Sequence, residues 1–123
     1  MVGAEDMNIQ GKVWGRTSPL FLHSNVEINK VHIFDGGFCS KHRHVAKFNM
    51  FVVFQGILKI RVWKNDYDLV DITEIGPGEC TTVKPGEYHS FEALGTVDAL
   101  EVYWVELDPG DIERETVGGM NPE

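Results

Sequence analysis

Gly36–Asn49 has the sequence GGFCSKHRHVAKFN, and Pro85–His89 has the sequence PGEYH. In a β-strand alternate side chains share a face, so His42 and His44 point the same way, with Cα atoms roughly 6 to 7 Å apart at about 3.3 Å per residue. Two imidazoles at that spacing can converge on one metal ion at about 2.0–2.1 Å per bond. His89, on a distant strand, would complete a facial set of three and leave positions open for water or a substrate.

The composition describes a single acidic domain. The chain has 123 residues, which is one domain's length, and a formal net charge of −8. This charge argues against nucleic acid and anionic membranes as partners, because phosphates attract Lys and Arg. No apolar run reaches the about 18 residues of a membrane span, and the N-terminus has no basic-then-apolar signal. Cys39 and Cys80 are interpreted as reduced packing residues, so the cytoplasm is the predicted location.

Short β-branched and aromatic segments, separated by Gly, Pro and Asn turns, fill the middle of the chain. They predict strands at Val26–Phe34, Phe48–Phe54, Ile57–Trp63, Leu69–Ile75, Cys80–Val83, His89–Leu94 and Ala99–Leu107. Lys64–Asp66 is predicted to be a hairpin tip, and a helical turn is possible at 111–116. The pattern is typical of an all-β sandwich or barrel. We therefore expect one domain over residues 1–123, with its core at about 26–107 and loose or wrapping tails.

The spacing of glycines and histidines resembles the two motifs of the cupin family. The first motif is Gly-x5-His-x-His, three or four residues, Glu, six residues, Gly; the matching residues are Gly36, His42, His44, Asn49 and Gly56. The second has the core Pro-x-Gly-x-x-His, which resembles the segment that ends Pro85-Gly86-Glu87-Tyr88-His89 and follows Gly78. Lys84 occupies its proline position, and Ala93 stands where asparagine is usual. The resemblance covers Val26 to Leu107.

This resemblance implies a small jelly-roll β-barrel of two antiparallel sheets that holds a metal or a small ligand inside. It also implies a homodimer, which is common among single-domain cupins. It implies no particular reaction, since cupins include isomerases, epimerases, dioxygenases, lyases, decarboxylases and non-enzymes. One departure from the family pattern matters for chemistry: Asn49 stands where the first motif has glutamate, so the position has a neutral amide and no carboxylate.

The ligand set that the motifs imply is therefore neutral: His42, His44, His89 and Asn49. It indicates a divalent transition metal, either Fe, Mn, Ni or Zn. Without an anionic ligand, affinity for hard ions such as Mn²⁺ should fall, while the bound ion should stay more Lewis acidic and attract anionic ligands. Asn49 could bind the metal, orient a water molecule or donate its NH₂ group to a substrate.

Strand alternation and proximity to the histidines also predict the walls of a substrate pocket. The candidate wall residues are Phe51, Tyr88, Phe91, Trp104 and Lys47. Trp104 is expected to face inward together with Val102 and Leu100. Lys47 lies beside the histidines in the sequence and could reach an anionic substrate.

Three functions follow as hypotheses. The first is a metal-dependent enzyme on a small polar metabolite such as a sugar or sugar phosphate, similar to mannose-6-phosphate-isomerase-like cupins and acting as an isomerase or epimerase. It needs a base, for which Glu92 and Glu101 are candidates only by strand proximity. The second is a three-histidine iron dioxygenase. The third is a non-catalytic module for a small ligand or a metal, which the missing glutamate supports.

Overall fold

The computed structural model describes residues 9–64, 69–106 and 110–122, and their regular structure is entirely β. The seven strands are β1 (Gln10–Lys12), β2 (Gly15–His23), β3 (Val26–Ile33), β4 (Phe48–Trp63), β5 (Val70–Ile75), β6 (Cys80–Val83) and β7 (Tyr88–Trp104). These ranges contain no helix, so the helical turn predicted at 111–116 is wrong. Nothing in the described part of the chain forms a helix able to cross a membrane. The predicted hairpin tip at Asn65 and Asp66 lies outside the described residues.

All strands pair antiparallel around a central pair, β4 and β7. The order is β1-β2-β3-β7-β4-β5, and β6 also pairs with β4. The first half of β4 pairs with β6 and with residues 98–104 of β7, which also pair with β3. The second half of β4 pairs with β5 and with residues 88–94 of β7. All seven strands form one continuous sheet, and the two long strands run through both of its facing halves, which are the two sheets of the jelly-roll barrel.

Two pairs of predicted strands are joined into single strands: Phe48–Phe54 with Ile57–Trp63 in β4, and His89–Leu94 with Ala99–Leu107 in β7, which ends at Trp104. Gln55-Gly56 predicts a turn but forms an irregularity within β4. The register against β7 shifts on both sides of Gln55, and Gly56 has a φ of 83°. A bulge bends a strand without ending it, so β4 can continue from one sheet into the other.

The hydrophobic core lies between the two sheets. In β4 the residues Phe51, Val53, Leu58 and Ile60 are each at most 1 % exposed, and the inward alternation changes phase across the bulge. Phe51 belongs to the first half of β4 and contacts Phe91, which pairs with the second half, at 6.1 Å between ring centroids. Side chains of the two sheets therefore pack face to face.

The sheet begins well before the core boundary predicted at residue 26. β2 pairs with β3 from Gly15 to His23, and β1 pairs with the start of β2. β2 is difficult to recognise in the sequence, because Pro19 lacks an N–H group and interrupts the alternation of apolar and polar residues. The structure accommodates it at a register shift between Pro19 and Phe21, in a strand that has only the short β1 on its outer side.

Replacing Gly56 with Ala should destabilise the fold. A Cβ here would lie 2.2 Å from the Thr96 carbonyl oxygen, and the φ of +83° is unfavourable for a side chain. We expect the free energy of unfolding, measured in urea, to fall by about 1–3 kcal/mol. Gly78→Ala is the matched control, because Gly78 has a φ of +84° but open space around its Cβ position. Equal losses in the two variants would show that the close approach to Thr96 is unimportant.

Candidate metal centre

A backbone bridge brings the histidines together. His42 N–H donates to the His89 carbonyl at 3.0 Å, and His89 N–H donates back to the His42 carbonyl at 2.8 Å. His42 thus lies directly opposite His89, the second residue of β7. The carbonyl of His44 accepts a bond of 2.7 Å from Gly86 N–H, in the turn before β7. The structure therefore brings together the three histidines that the spacing singles out.

The three imidazoles form a compact group. One ring nitrogen of each lies within 4.8 Å of the other two. The ring centroids are 5.1 Å apart for His42 and His44, 4.5 Å for His42 and His89, and 5.5 Å for His44 and His89. Three nitrogens bound to one ion at about 2.0–2.1 Å lie at most about 4 Å apart. The observed spacing therefore suits a shared metal ion with little movement of the rings.

Hydrogen bonds on one ring nitrogen orient two of the histidines. Nδ1 of His42 lies 2.8 Å from the Ser40 carbonyl oxygen, and Nδ1 of His89 lies 3.0 Å from that of Glu87. A carbonyl oxygen only accepts, so Nδ1 is the donor in each ring and Nε2 is the nitrogen left to bind a metal. Metal-binding histidines are typically held by such a bond on the nitrogen that faces away from the metal.

Several buried polar atoms of two of the histidines and of Asn49 lack a hydrogen-bond partner among the described residues. They are Nε2 of His44, Nε2 of His89 and both amide atoms of Asn49. Asn49 is 1 % exposed, and an unpaired buried polar group costs about 1–3 kcal/mol. A divalent ion would satisfy the imidazole lone pairs, so the three-histidine donor set fits a bound metal.

Burial keeps two of the histidines in the neutral form that binds metals. The pKa of His44 is lowered to about 4, mainly by burial and also by the neighbouring positive charges of His42, His89 and Lys47. The pKa of His89 is also lowered, mainly by burial. Both imidazoles are therefore unprotonated at neutral pH, so an incoming metal has no proton to displace from them.

A cavity of about 420 Å³ opens beside His42 and His44. Two of the five predicted wall residues, Phe91 and Lys47, line it. The Lys47 Nζ lies 3.6 Å from a carboxylate oxygen of Glu27, and this ion pair is only partly buried. The cavity wall therefore carries an ammonium group near the imidazoles.

Two other predicted wall residues lie outside this cavity. Phe51 is buried in the core, with its ring centroid 6.5 Å from that of His89. Tyr88 precedes His89 in β7 and therefore points to the opposite face of the strand, where Arg43 lies over its ring. Tyr88 therefore does not line the cavity beside the histidines.

The end of β7 presents other residues to the cavity than those predicted. Trp104 stacks on Phe48 at 5.3 Å between ring centroids, and Glu101 and Tyr103 line the cavity in its place. Counting by twos from His89 along one uninterrupted strand leads to both of these residues. When β7 is predicted as two separate strands, the inward and outward alternation can no longer be counted from His89. The choice of inward-facing residues then rests on hydrophobicity, which selects Trp104 and its apolar neighbours.

Glu101 is a buried carboxyl group in the cavity wall. It is 7 % exposed, and the Tyr103 hydroxyl donates to its Oε2 at 2.7 Å. Burial raises the pKa of Glu101, while the Tyr103 hydroxyl and the adjacent Asn49 amide oppose that rise, although the Asn49 contact falls short of hydrogen-bond geometry. The Tyr103 ring also contacts the His44 ring, with centroids 5.1 Å apart. A buried carboxyl group therefore lies in the same cavity wall as His42 and His44.

Sequence reasoning missed the part of the wall that β1 and β2 supply. Lys12, Trp14 and Thr17 line the cavity, although no motif marks them and they precede the predicted core. They reach it because β2 pairs with β3, a contact that local sequence does not encode. Glu92, the other candidate base, pairs with Arg61 at 3.0 Å and does not line the cavity.

Comparison with known proteins identifies the fold. No family model and no curated protein matches the sequence. KdgF from Halomonas sp. is similar in structure, with a TM-score of 0.69 and 14% identity over 81% of this chain and 87% of that one. The cupin domain of Cnp3 from Schizosaccharomyces pombe gives a TM-score of 0.68 and 16% identity over 80% and 69%.

Oxalate decarboxylase from Bacillus subtilis gives a TM-score of 0.70 and 16% identity over 79% of this chain, which corresponds to only 26% of that protein. At such low identity these likenesses concern the fold and leave the activity open. The three-histidine group has the donor type and spacing of a transition-metal site. We conclude that this chain has the cupin fold.

Proposed function

We propose that this protein binds a divalent transition metal through His42, His44 and His89, with the amide oxygen of Asn49 as a fourth ligand. The observation that carries the proposal is the compact three-histidine group with the buried, unpartnered Nε2 atoms of His44 and His89. The bonds to Nδ1 of His42 and His89 support it, since they keep Nε2 available. Imidazole ligands suit Fe, Ni and Zn better than Mn.

His44→Ala should eliminate bound metal. Loss of a supporting partner alone typically costs 10–100-fold in metal affinity, so loss of a ligand should cost more than about 100-fold. Elemental analysis of protein purified without an affinity tag, followed by calorimetry with Zn²⁺ and Fe²⁺, measures this. His23→Ala is the control, because His23 is exposed, ends β2 and does not line the cavity.

Unchanged metal content in His44→Ala would contradict the ligand assignment. If the unmodified protein contains no metal and gains no thermal stability from Mn²⁺, Fe²⁺, Ni²⁺ or Zn²⁺, the non-catalytic module is the better description. A metal that binds the folded state must otherwise raise the melting temperature.

We further propose that the substrate is a small polar metabolite with an anionic group. The neutral ligand set leaves the charge of a divalent ion uncompensated, and Lys12 and Lys47 add positive charge to the same cavity wall. Glu27 only weakly offsets Lys47, because their ion pair is long and partly exposed. The cavity of about 420 Å³ is large enough for a sugar-sized molecule.

Lys47→Gln should weaken anion binding by the metal-loaded protein. A hydrogen bond to a charged group contributes about 1.5–3 kcal/mol, so we expect at least a tenfold loss of affinity. Calorimetry with malonate, with inorganic phosphate and with neutral glucose distinguishes a carboxylate from a phosphate and both from an uncharged sugar. Lys30→Gln is the control, because Lys30 is exposed and does not line the cavity. Equal binding of glucose and malonate would refute an anionic substrate.

Glu101 is the residue that we propose to transfer a proton in an isomerase-like or epimerase-like reaction. A divalent ion bound at the histidines would polarise a carbonyl or hydroxyl oxygen of the metabolite. Glu101 lines the same cavity, Tyr103 orients its carboxyl group, and burial raises its pKa toward the working pH. Such a group can take a proton from a carbon next to a carbonyl and return it.

Glu101→Gln should abolish proton exchange while leaving the metal in place. In D₂O the metal-loaded protein should exchange the methyl protons of pyruvate, followed by proton NMR, and the variant should be about 100-fold slower or more. Glu92→Gln is the control, since Glu92 lies outside the cavity. Equal exchange rates in wild type and Glu101→Gln would remove Glu101 from the mechanism.

The three-histidine iron dioxygenase is the second candidate, because the ligand group contains no carboxylate. The same samples separate it from the first. Oxygen uptake by the iron-loaded protein in the presence of a 2-oxo acid, with no uptake by the zinc-loaded protein and no deuterium exchange, would favour the dioxygenase.

A further inference from the structure

The segment that carries two of the three histidines has few backbone bonds. Residues 40–44 lie outside the named strands. In the described structure, His42 makes the one bridge to β7, and the His44 carbonyl accepts one further bond from Gly86. These bonds fix where the segment lies along β7. They leave the direction of the individual side chains to be set by other contacts.

The side chains on the outer face of this segment are held by aromatic rings. Lys41 Nζ lies 4.3 Å from the centre of the Trp63 ring and 5.7 Å from that of Tyr88. The guanidinium carbon of Arg43 lies 4.8 Å from the centre of the Tyr88 ring. Trp63 and Tyr88 are direct cross-strand partners at the paired ends of β4 and β7. We call the four residues Lys41, Arg43, Trp63 and Tyr88 the outer clamp.

The outer clamp and the histidines alternate along the chain. Lys41 and Arg43 occupy every second position, with His42 between them and His44 after them. In an extended segment neighbouring side chains point in opposite directions. Holding both cations against the rings therefore turns both imidazoles toward His89 and the cavity. Tyr88 acts on the third histidine in the same way, because it precedes His89 in β7.

We propose that the outer clamp positions the imidazoles for metal binding, so that its four members are positioning residues of the metal centre. This inference rests on the proposed metal-binding function. A cation over an exposed ring changes an equilibrium by about two- to fivefold, and Tyr88 faces two cations at once. Loss of the Tyr88 ring should therefore affect metal binding more than loss of either cation.

Titration of the full-length, metal-free protein with Co²⁺ tests the proposal. Calorimetry measures the affinity, and the visible absorption of bound Co²⁺ reports its coordination geometry. Tyr88→Ala should bind Co²⁺ about tenfold more weakly, with an altered spectrum. Tyr88→Phe keeps the ring face and should restore both affinity and spectrum. Phe54→Ala is the matched control. It removes an exposed ring from β4, the strand that also carries Trp63, at a position away from the histidine segment.

Arg43→Gln is a second variant that removes one cation and leaves every ring in place, so it avoids a large loss of packing. It should weaken Co²⁺ binding by about two- to fivefold. If Tyr88→Ala and Arg43→Gln lose thermal stability but keep the wild-type Co²⁺ affinity and spectrum, the clamp is merely structural and the proposal is wrong. Failure of the wild-type protein to bind Co²⁺ would overturn the metal-binding function itself, and this inference with it.

Discussion

Antiparallel pairing of β4 with β7 along nearly their whole lengths is the constraint on which the rest of the structure depends. It extends from Phe48 opposite Trp104 to Trp63 opposite Tyr88, and β3, β5 and β6 are each attached to one of these two strands. Because both strands serve both sheets, one pair supplies most of the core. The same arrangement brings Phe51, near the start of β4, into contact with His89 at the start of β7.

The candidate site contains a carboxyl group, but not at the position where the cupin motif has one. Asn49 occupies that position on β4, whereas Glu101 lies on the neighbouring strand β7, held by Tyr103. Glu101 lies outside the compact histidine group, so it is suited to exchanging a proton and not to neutralising an ion. This rearrangement is the physical basis for proposing a neutral ligand set, an anionic substrate and a separate proton carrier.

Strand alternation has two consequences at the histidine segment. It directs His42 and His44 toward the cavity and Lys41 and Arg43 toward the rings outside. The His42 and His44 imidazoles that face the cavity are therefore supported from behind by the contacts of Lys41 and Arg43 with aromatic rings at the surface. Irregular backbone near a binding site needs such support, because a regular ladder of hydrogen bonds does not hold it in place.

The sequence by itself determined the all-β class, most strand positions from Val26 onward and the meeting of the three histidines, because period-two alternation and motif spacing are local properties. It did not determine β1 and β2, the joining of predicted strands into β4 and β7, or the inward direction of Glu101 and Tyr103. These features depend on pairing between distant segments, and on a bulge that bends a strand at a position where the local sequence predicts its end. Only the tertiary structure could therefore decide which side chains line the cavity.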